Sequence, residues 1–185
     1  MIHPNFSHCS TLEEFYSQAC TLFSAEYGSD FILYWEHIRQ LAKECRSYKD
    51  LGTFQGVSAA AAILGNSDMD YVELVDVTFH QLQPHQHVFE QFTGELKLNQ
   101  NSSADPSVPV STVDMMLVDS LHTREHVTQE LHLHAPHINK YIVFHDATYP
   151  PIKQVIDKFI EKNPQWKYLI YDDRSFGYAV IEKIS

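Results

Sequence analysis

The chain has 185 residues, enough for one core and hardly two, because domains usually close around ~100–150 residues. Hydrophobic residues make up 44% and charged residues 20%, the composition of a folded globular protein rather than a disordered one. Thirteen Lys plus Arg against 24 Asp plus Glu leave a formal charge of -11. Such a charge repels polyanions and argues against a dedicated binder of nucleic acid or anionic membrane. A neutral or cationic ligand is favoured instead.

Cys9, Cys20 and Cys45 are odd in number and form no C-x-x-C pair, so a reducing, cytoplasmic setting is expected. The opening residues Met1 to Phe6 carry no basic leader, and no apolar run approaches the ~20 residues of a membrane span. Twelve histidines draw attention to metal chemistry, but each has to be placed before it counts.

Leu12, Phe15, Tyr16, Ala19, Leu22 and Phe23 recur at helical spacing, and Gly28-Ser29-Asp30 ends the run. A second helical face follows in Phe31, Tyr34, Trp35, Ile38, Leu41, Ala42 and Cys45. Residues 1–46 thus read as N-terminal helices ahead of a core over 47–185, all within a single domain. Asp50 to Ser58 reads as a strand end, a Gly-containing turn and the start of a helix over Ala59 to Leu64. Tyr71 to Asp76 is a strand ending in an acid, and Phe79 to Phe92 is expected to return as a helix despite Pro84.

Glu95 to Leu98 alternates as a short strand does, and Asn99 to Ser111 is polar, with Pro106 and Pro109, and is read as a loop. Met115 to Val118 and Tyr141 to Phe144 are unbroken apolar runs ending at Asp119 and His145-Asp146, which suits strands buried on both faces. Thr123 to Leu133 can be helical between them. Pro150-Pro151 opens a helix carrying Ile152, Val155, Ile156, Phe159 and Ile160, and Asn163-Pro164 stops it. Trp166 to Tyr171 and Tyr178 to Ile184 are then two strands joined tightly enough to be antiparallel.

This alternation predicts an α/β fold: a sheet parallel over five strands, helices on both faces, and an antiparallel pair at the end. In such sheets ligands bind where the strands end, near the switch in strand order. Asp50 to Gly56, Asp76, Asp119 and His145-Asp146 all fall there. The glycine turn lets a backbone approach a ligand, yet its spacing is not Gly-x-Gly-x-x-Gly, so a nucleoside without a pyrophosphate is favoured. Asp76, 20 residues after Gly56, can accept hydrogen bonds from two ribose hydroxyls.

Together, Asp50-Leu51-Gly52-Thr53-Phe54-Gln55-Gly56-Val57-Ser58, Asp76, Asp119-Ser120-Leu121-His122 and Val143-Phe144-His145-Asp146 resemble the ordered signatures of class I S-adenosylmethionine-dependent methyltransferases. The resemblance covers about Ser47 to Lys183. It is strongest to the small O-methyltransferase branch of macrocin, catechol and caffeoyl-type enzymes and cephalosporin-hydroxylase-like proteins. It implies a Rossmann-like three-layer α/β/α sandwich with seven strands in the order 3-2-1-4-5-7-6, the last strand antiparallel. It also implies cofactor contacts from Asp50, Gly52, Thr53, Gly56, Ser58, Asp76 and Asp119, with Asp76 on the ribose. The acidic strand ends agree, since the cofactor's sulfonium and ammonium outweigh its one carboxylate.

In the macrocin-type branch the Asp-x-x-His pattern supplies a metal ligand and a general base, which here implies Asp119 and His122. A His poised near neutral pH can take a substrate hydroxyl's proton as the methyl arrives. His145-Asp146 stands where metal-dependent relatives carry Asp-Asp or Asp-Asn, so Asp119, His145 and Asp146 are candidate ligands. The imidazole suits zinc, iron or nickel better than magnesium. Departures are the missing Gly after Asp119, Asn139-Lys140 in place of a Gly-Gly turn, and no evident adenine-binding acid in Asn99 to Ser103. His80, His85, His87, His126, His132, His134 and His137 repeat no ligand spacing and are read as solvated.

The expected activity is O-methylation of a small-molecule hydroxyl, with neither nucleic acid nor membrane as partner. Two rival readings remain: a cofactor-binding protein without catalysis, and a metal-dependent hydrolase or oxygenase using Asp119, His122, His145 and Asp146. The only visible lids are the N-terminal helices and the 99–111 loop. The pocket is therefore either open or completed by a second subunit of a homodimer.

Overall fold

The computed structural model describes residues 4–184. Thr11 starts the first helix: its side-chain oxygen accepts the Glu14 amide, and α1 runs Leu12–Tyr27 until Gly28, at φ 91°, turns the chain away. A 3-10 turn at Ser29–Ile32 leads into α2 (Leu33–Leu41), whose face buries Tyr34, Trp35 and Ile38. The expected second helix is therefore shorter, its last turn tightening to 3-10 over Ala42–Glu44.

Seven strands follow, β1 (Ser47–Leu51), β2 (Tyr71–Asp76), β3 (Glu95–Gln100), β4 (Val113–Val118), β5 (Ile138–His145), β6 (Trp166–Asp172) and β7 (Tyr178–Lys183). They form one sheet in the order β3-β2-β1-β4-β5-β7-β6. β1 to β5 are parallel, and β7 runs antiparallel to both its neighbours. Asn139-Lys140, expected before the fifth strand, lies inside it. The remaining helices are α3 (Val57–Gly65), α4 (Arg124–His134) and α5 (Pro150–Lys162).

Strand alternation divides the core into two layers. Tyr48, Val72, Leu74, Met115, Leu117, Val143 and Val180 pack towards α1, α2 and α3. Leu51, Val75, Met116, Val118, Ile142, Phe144 and Ile181 pack towards α4 and α5. Val113 joins the second layer although parity places it with Met115, because the register of β4 against β5 shifts between those two residues.

One expected helix does not form. Gln83–Gln91 is 3-10 and is broken at His85, with φ -131° and ψ 17°. Pro84 removes one amide donor, and His85 is instead drawn inward, its Nε2 meeting Gln55 O at 2.8 Å. Its ring stacks on Phe15 at 4.6 Å.

Polar strand positions also hide an ion pair. Lys49 Nζ and Glu73 Oε2 lie 3.2 Å apart with both side chains 1% exposed, and Lys97 reaches Glu73 Oε1 at 2.9 Å. Burial pushes the Lys49 ammonium down and also opposes Glu73 ionisation, but Lys49, Lys97 and Ser111 outweigh that opposition and hold Glu73 below the usual carboxylate range. Breaking such a pair costs about 3–5 kcal/mol, because a charge is left buried. Lys49→Met is therefore expected to lower the urea midpoint strongly, at the lower end of that range because Lys97 remains. The double variant Lys49→Met/Glu73→Leu should recover most of the loss, and equal destabilisation of single and double variants would refute the account.

Candidate active site

The sheet order reverses between β1 and β4, the place where ligands bind at the strand ends of such sheets. Gly52 holds the β1 loop against the β4 loop. Its amide donates to Val75 O and the Asp119 amide donates to Leu51 O, both at 2.9 Å. Gly52 has φ 88°, and a Cβ there would lie 2.2 Å from the Asp119 carbonyl oxygen. Only glycine fits this crossing. Phe54 then takes a left-handed φ of 50°, an uncommon backbone for a bulky residue and one typical of functional turns.

Asp50 is fully buried at the end of β1. Its Oδ2 accepts the Ser58 hydroxyl at 2.5 Å, while Oδ1 has no partner among the described residues. Burial, with Asp119 and Asp76 adding repulsion against the Ser58 hydrogen bond, raises its carboxyl to about 7. An unsatisfied buried carboxylate oxygen of this kind calls for a donor or a cation.

Asp119, His122, His145 and Asp146 converge into a closed ring of charge. His122 Nε2 lies 3.3 Å from Asp119 Oδ1 and 3.0 Å from Asp146 Oδ2. His145 Nδ1 lies 3.2 Å from the same Asp119 oxygen and 3.0 Å from the same Asp146 oxygen. Hydrogen bonds that His122 donates to Asp119 and Asp146 push its ring up to about 10. Burial opposes the charge on His145, but the two carboxylates outweigh it and again bring it to about 10. Both acids, which burial alone would raise, are held below the usual carboxylate range by the imidazoles. The sequence reading of His122 as poised near neutrality is corrected here: two carboxylates on one ring nitrogen make it far more basic.

Gly52, Thr53, Ser58, Asp119, His122, His145 and Asp146 line one cavity of about 420 Å³. Asp50, Gly56 and Asp76 do not line it. Asp50 sits behind Ser58. Gly56 is the left-handed residue before α3, where a Cβ would press Leu82 and Phe89 at 3.0 Å. Asp76 braces the turn, its two oxygens accepting the Phe54 amide at 3.0 Å and the Thr78 amide at 3.1 Å.

The N-terminal helices, one of the two lids expected from sequence, roof this cavity, whereas the 99–111 loop does not line it. Phe23, Tyr27, Phe31, Tyr34 and Trp35 from the N-terminal segment line it together with Phe176 from the β6–β7 connection, which meets the Tyr27 and Phe31 rings. Tyr34 packs on the His145 ring at 4.5 Å, and Phe31 meets it edge-on at 5.7 Å. The individual aromatics of the roof, and Phe176 opposite them, carry no motif spacing, and the density of aromatics from Tyr27 to Trp35 is the one sequence signal for them.

Two histidines expected to be solvated are buried. His85 is 1% and His134 6% exposed, and burial lowers both below the usual imidazole range. His134 Nε2 meets Ser103 O at 2.8 Å. Nearby Glu130, fully buried, accepts the Ser103 and Ser120 hydroxyls at 2.5 Å each. It thereby ties the residue after Asp119 to the loop that follows β3.

No protein-family model matches the chain, and no curated protein matches it. Solved structures do. The SAH-bound methyltransferase PaMTH1 from Podospora anserina superposes with a TM-score of 0.64 at 13% identity, over 96% of this chain and 89% of that one. The O-methyltransferase TomG from Streptomyces achromogenes, in complex with SAM, gives 0.60 at 15% identity over 92% and 89%. The N-methyltransferase NodS from Bradyrhizobium japonicum gives 0.62 at 9% identity over 88% and 99%. The fold is that of the class I S-adenosylmethionine-dependent methyltransferases. Among the described residues, no helix is long and apolar enough to cross a membrane.

Proposed function

We propose that the chain is an S-adenosylmethionine-dependent methyltransferase that methylates a hydroxyl of a small molecule. The observation that carries this reading is the meeting, in one aromatic-roofed cavity, of the Gly52 turn with the Asp119, His122, His145 and Asp146 cluster. At about 420 Å³ the cavity lies within the range of small-ligand sites. In this reading Gly52, Thr53 and Ser58 place the cofactor backbone, and Asp50 supplies charge for its ammonium. Gly56 shapes the turn, Asp76 offers its remaining lone pairs to the ribose, and Asp119 closes the floor. The aromatic roof and the acidic floor both favour a sulfonium.

The reaction breaks the S–CH3 bond and forms an O–CH3 bond, leaving a neutral thioether, and the hydroxyl proton passes to His122. Asp119 and Asp146 keep Nε2 of that ring protonated and leave Nδ1 to accept. A ring this basic rests as imidazolium, and the positive sulfonium brought among the same carboxylates moves it towards the neutral form. Positioning supplies most of the acceleration.

Ligand atoms of Asp119, His145 and Asp146 lie within 4.8 Å of one another, and the mixed carboxylate and imidazole set fits a zinc, iron or nickel ion better than magnesium. When bound, such an ion would supply Lewis acidity that lowers the pKa of the acceptor hydroxyl and orients it.

Calorimetric titration with S-adenosylmethionine and S-adenosylhomocysteine tests the reading, with Asp76→Asn as control. One-to-one micromolar binding weakened by the substitution is expected. Folded protein that binds neither ligand but carries near one equivalent of zinc or iron would move the assignment to a metal-dependent hydrolase or oxygenase. The pH dependence is a further check. Asp50 titrates near 7 in the free protein, and a bound cation favours its ionised form, so binding releases a proton below that pH. Affinity should therefore rise on the order of tenfold from pH 5.5 to 7 and level off above. Asp50→Asn should flatten the profile, and an unchanged slope would remove Asp50 from the site.

A further inference from the structure

Seven of the 13 Lys and Arg residues pair with an acid in the structure: Arg39, Arg46, Lys49, Lys97, Lys153, Lys167 and Arg174. Six have no acidic partner among the described residues, and four of these six, Arg124, Lys158, Lys162 and Lys183, border one groove. The groove lies between α4 and α5 over the start of β6 and encloses about 670 Å³. It shares no residue with the cavity of the candidate active site.

Its floor is apolar, made by Leu131, Ala135, Val155, Phe159 and Trp166. Trp166 is 2% exposed, with Phe159 6.2 Å from it, ring centroid to centroid, and Lys183 Nζ 5.6 Å above its ring. No Asp or Glu lines the groove, although the chain carries 24 of them. Among the described residues, Arg124 reaches only Gln154 and Lys183 only the Ile138 carbonyl and the Trp166 ring, so four cations without an acidic partner border an apolar floor and are open to an anion from solution. The groove follows α4 from Arg124 to Ala135, roughly 16 Å at 1.5 Å per residue. Its cations border a concave volume of small-ligand size.

We propose that this groove binds a small organic anion with an apolar body, a carboxylate or phosphate ester carried on an aliphatic chain or ring. The head group sits among Lys158, Lys162 and Lys183, and the body lies along Phe159 and Leu131.

Calorimetric titration of the full chain with dodecanoate and with dodecyl phosphate, below micelle formation, tests this. Dodecanol and dodecyltrimethylammonium serve as uncharged and cationic controls. Saturable one-to-one binding of either anion is expected, at least tenfold tighter than the alcohol, with none of the cation. Binding of dodecanoate but not the phosphate identifies a carboxylate site, and the reverse a phosphate site. Lys158→Glu/Lys162→Glu, at two exposed positions, should weaken the anion at least tenfold while leaving S-adenosylmethionine binding and thermal stability unchanged. Thr128→Trp, which fills the groove from α4, should abolish binding.

Equal affinity for alcohol and anion, or an anion affinity insensitive to the lysine substitutions, would overturn the proposal. So would light scattering that shows a dimer dissociated by those substitutions, because the groove would then be an interface between copies. Tighter binding of an acidic amphipathic peptide than of either anion would likewise replace it with a protein-docking site.

Discussion

His122→Ala is expected to lower turnover by about 10²–10⁴-fold, the usual contribution of a positioned general base, with S-adenosylmethionine affinity nearly unchanged. The effect should fall on kcat if, as proposed, the ring takes the acceptor proton and does not hold the nucleoside or amino-acid ends of the cofactor. The geometry behind this is a ring fixed from one side: Asp119 and Asp146 both meet Nε2, which sets its orientation and tautomer. His122→Asn keeps a polar group there but cannot take the proton, and it should be nearly as slow. Rapid-quench single turnovers on a hydroxyl-acceptor panel would measure this. Turnover retained in His122→Ala would leave His122 a structural counter-ion and the proton without an acceptor in this account.

Gly52→Ala is expected to abolish detectable cofactor binding and to cost about 2–4 kcal/mol of stability. Part of that cost is the positive φ, which an L side chain resists by roughly 1–2 kcal/mol. The rest comes from forcing apart the β1 and β4 loops, since the new Cβ meets backbone atoms of Asp119 and Ser120 at 2.2–2.7 Å. Backbone cannot rotate aside as a side-chain tip can, so the displacement passes into Asp119 and the ring of charge around it. Gly28→Ala separates the two terms. Its φ is 91° with nothing within 4 Å, so it should lose only the conformational part. Equal urea midpoints for the two variants would show that the loop crossing carries no special constraint.

Much of the architecture could be read from residue order because each local signal agreed with the next. Unbroken apolar runs such as Met115 to Val118 gave buried strands, and each ended at a polar residue on the same edge of the sheet. The fold then gathered Gly52, Asp119, His122, His145 and Asp146 into one cavity. What remained hidden depended on distant partners. Asp-x-x-His shows one carboxylate for His122, but the second, from Asp146, arrives through β5, and only the pair explains the ring's basicity. Asp76 and Gly56 match a binding pattern, yet neither lines the cavity: Asp76 accepts the Phe54 and Thr78 amides, and Gly56 leaves the room that Leu82 and Phe89 would deny a Cβ. His85 and His134 look like surface histidines until burial by α1 and by the loop after β3 is known. Glu130 and the unpaired lysines of the α4–α5 groove carry no spacing that separates them from ordinary helix polarity.

The aromatic roof joins the two ends of the chain in time as well as in space. Phe31 rests on His145 and Phe176, Arg174 reaches Asp30 at 3.2 Å, and the Tyr178 hydroxyl meets His37 at 2.9 Å. These partners are separated by 114 to 145 positions along the chain, which a ribosome adds in roughly 6–30 s at 5–20 residues per second. Until those partners are made, they cannot cover the aromatic face that the N-terminal segment turns towards them. The same separations make roof closure costly in loop entropy, so the roof should be the last part of the molecule to form during synthesis and an early one to open under stress. Until β6 and β7 are made, that face is open to association with other chains.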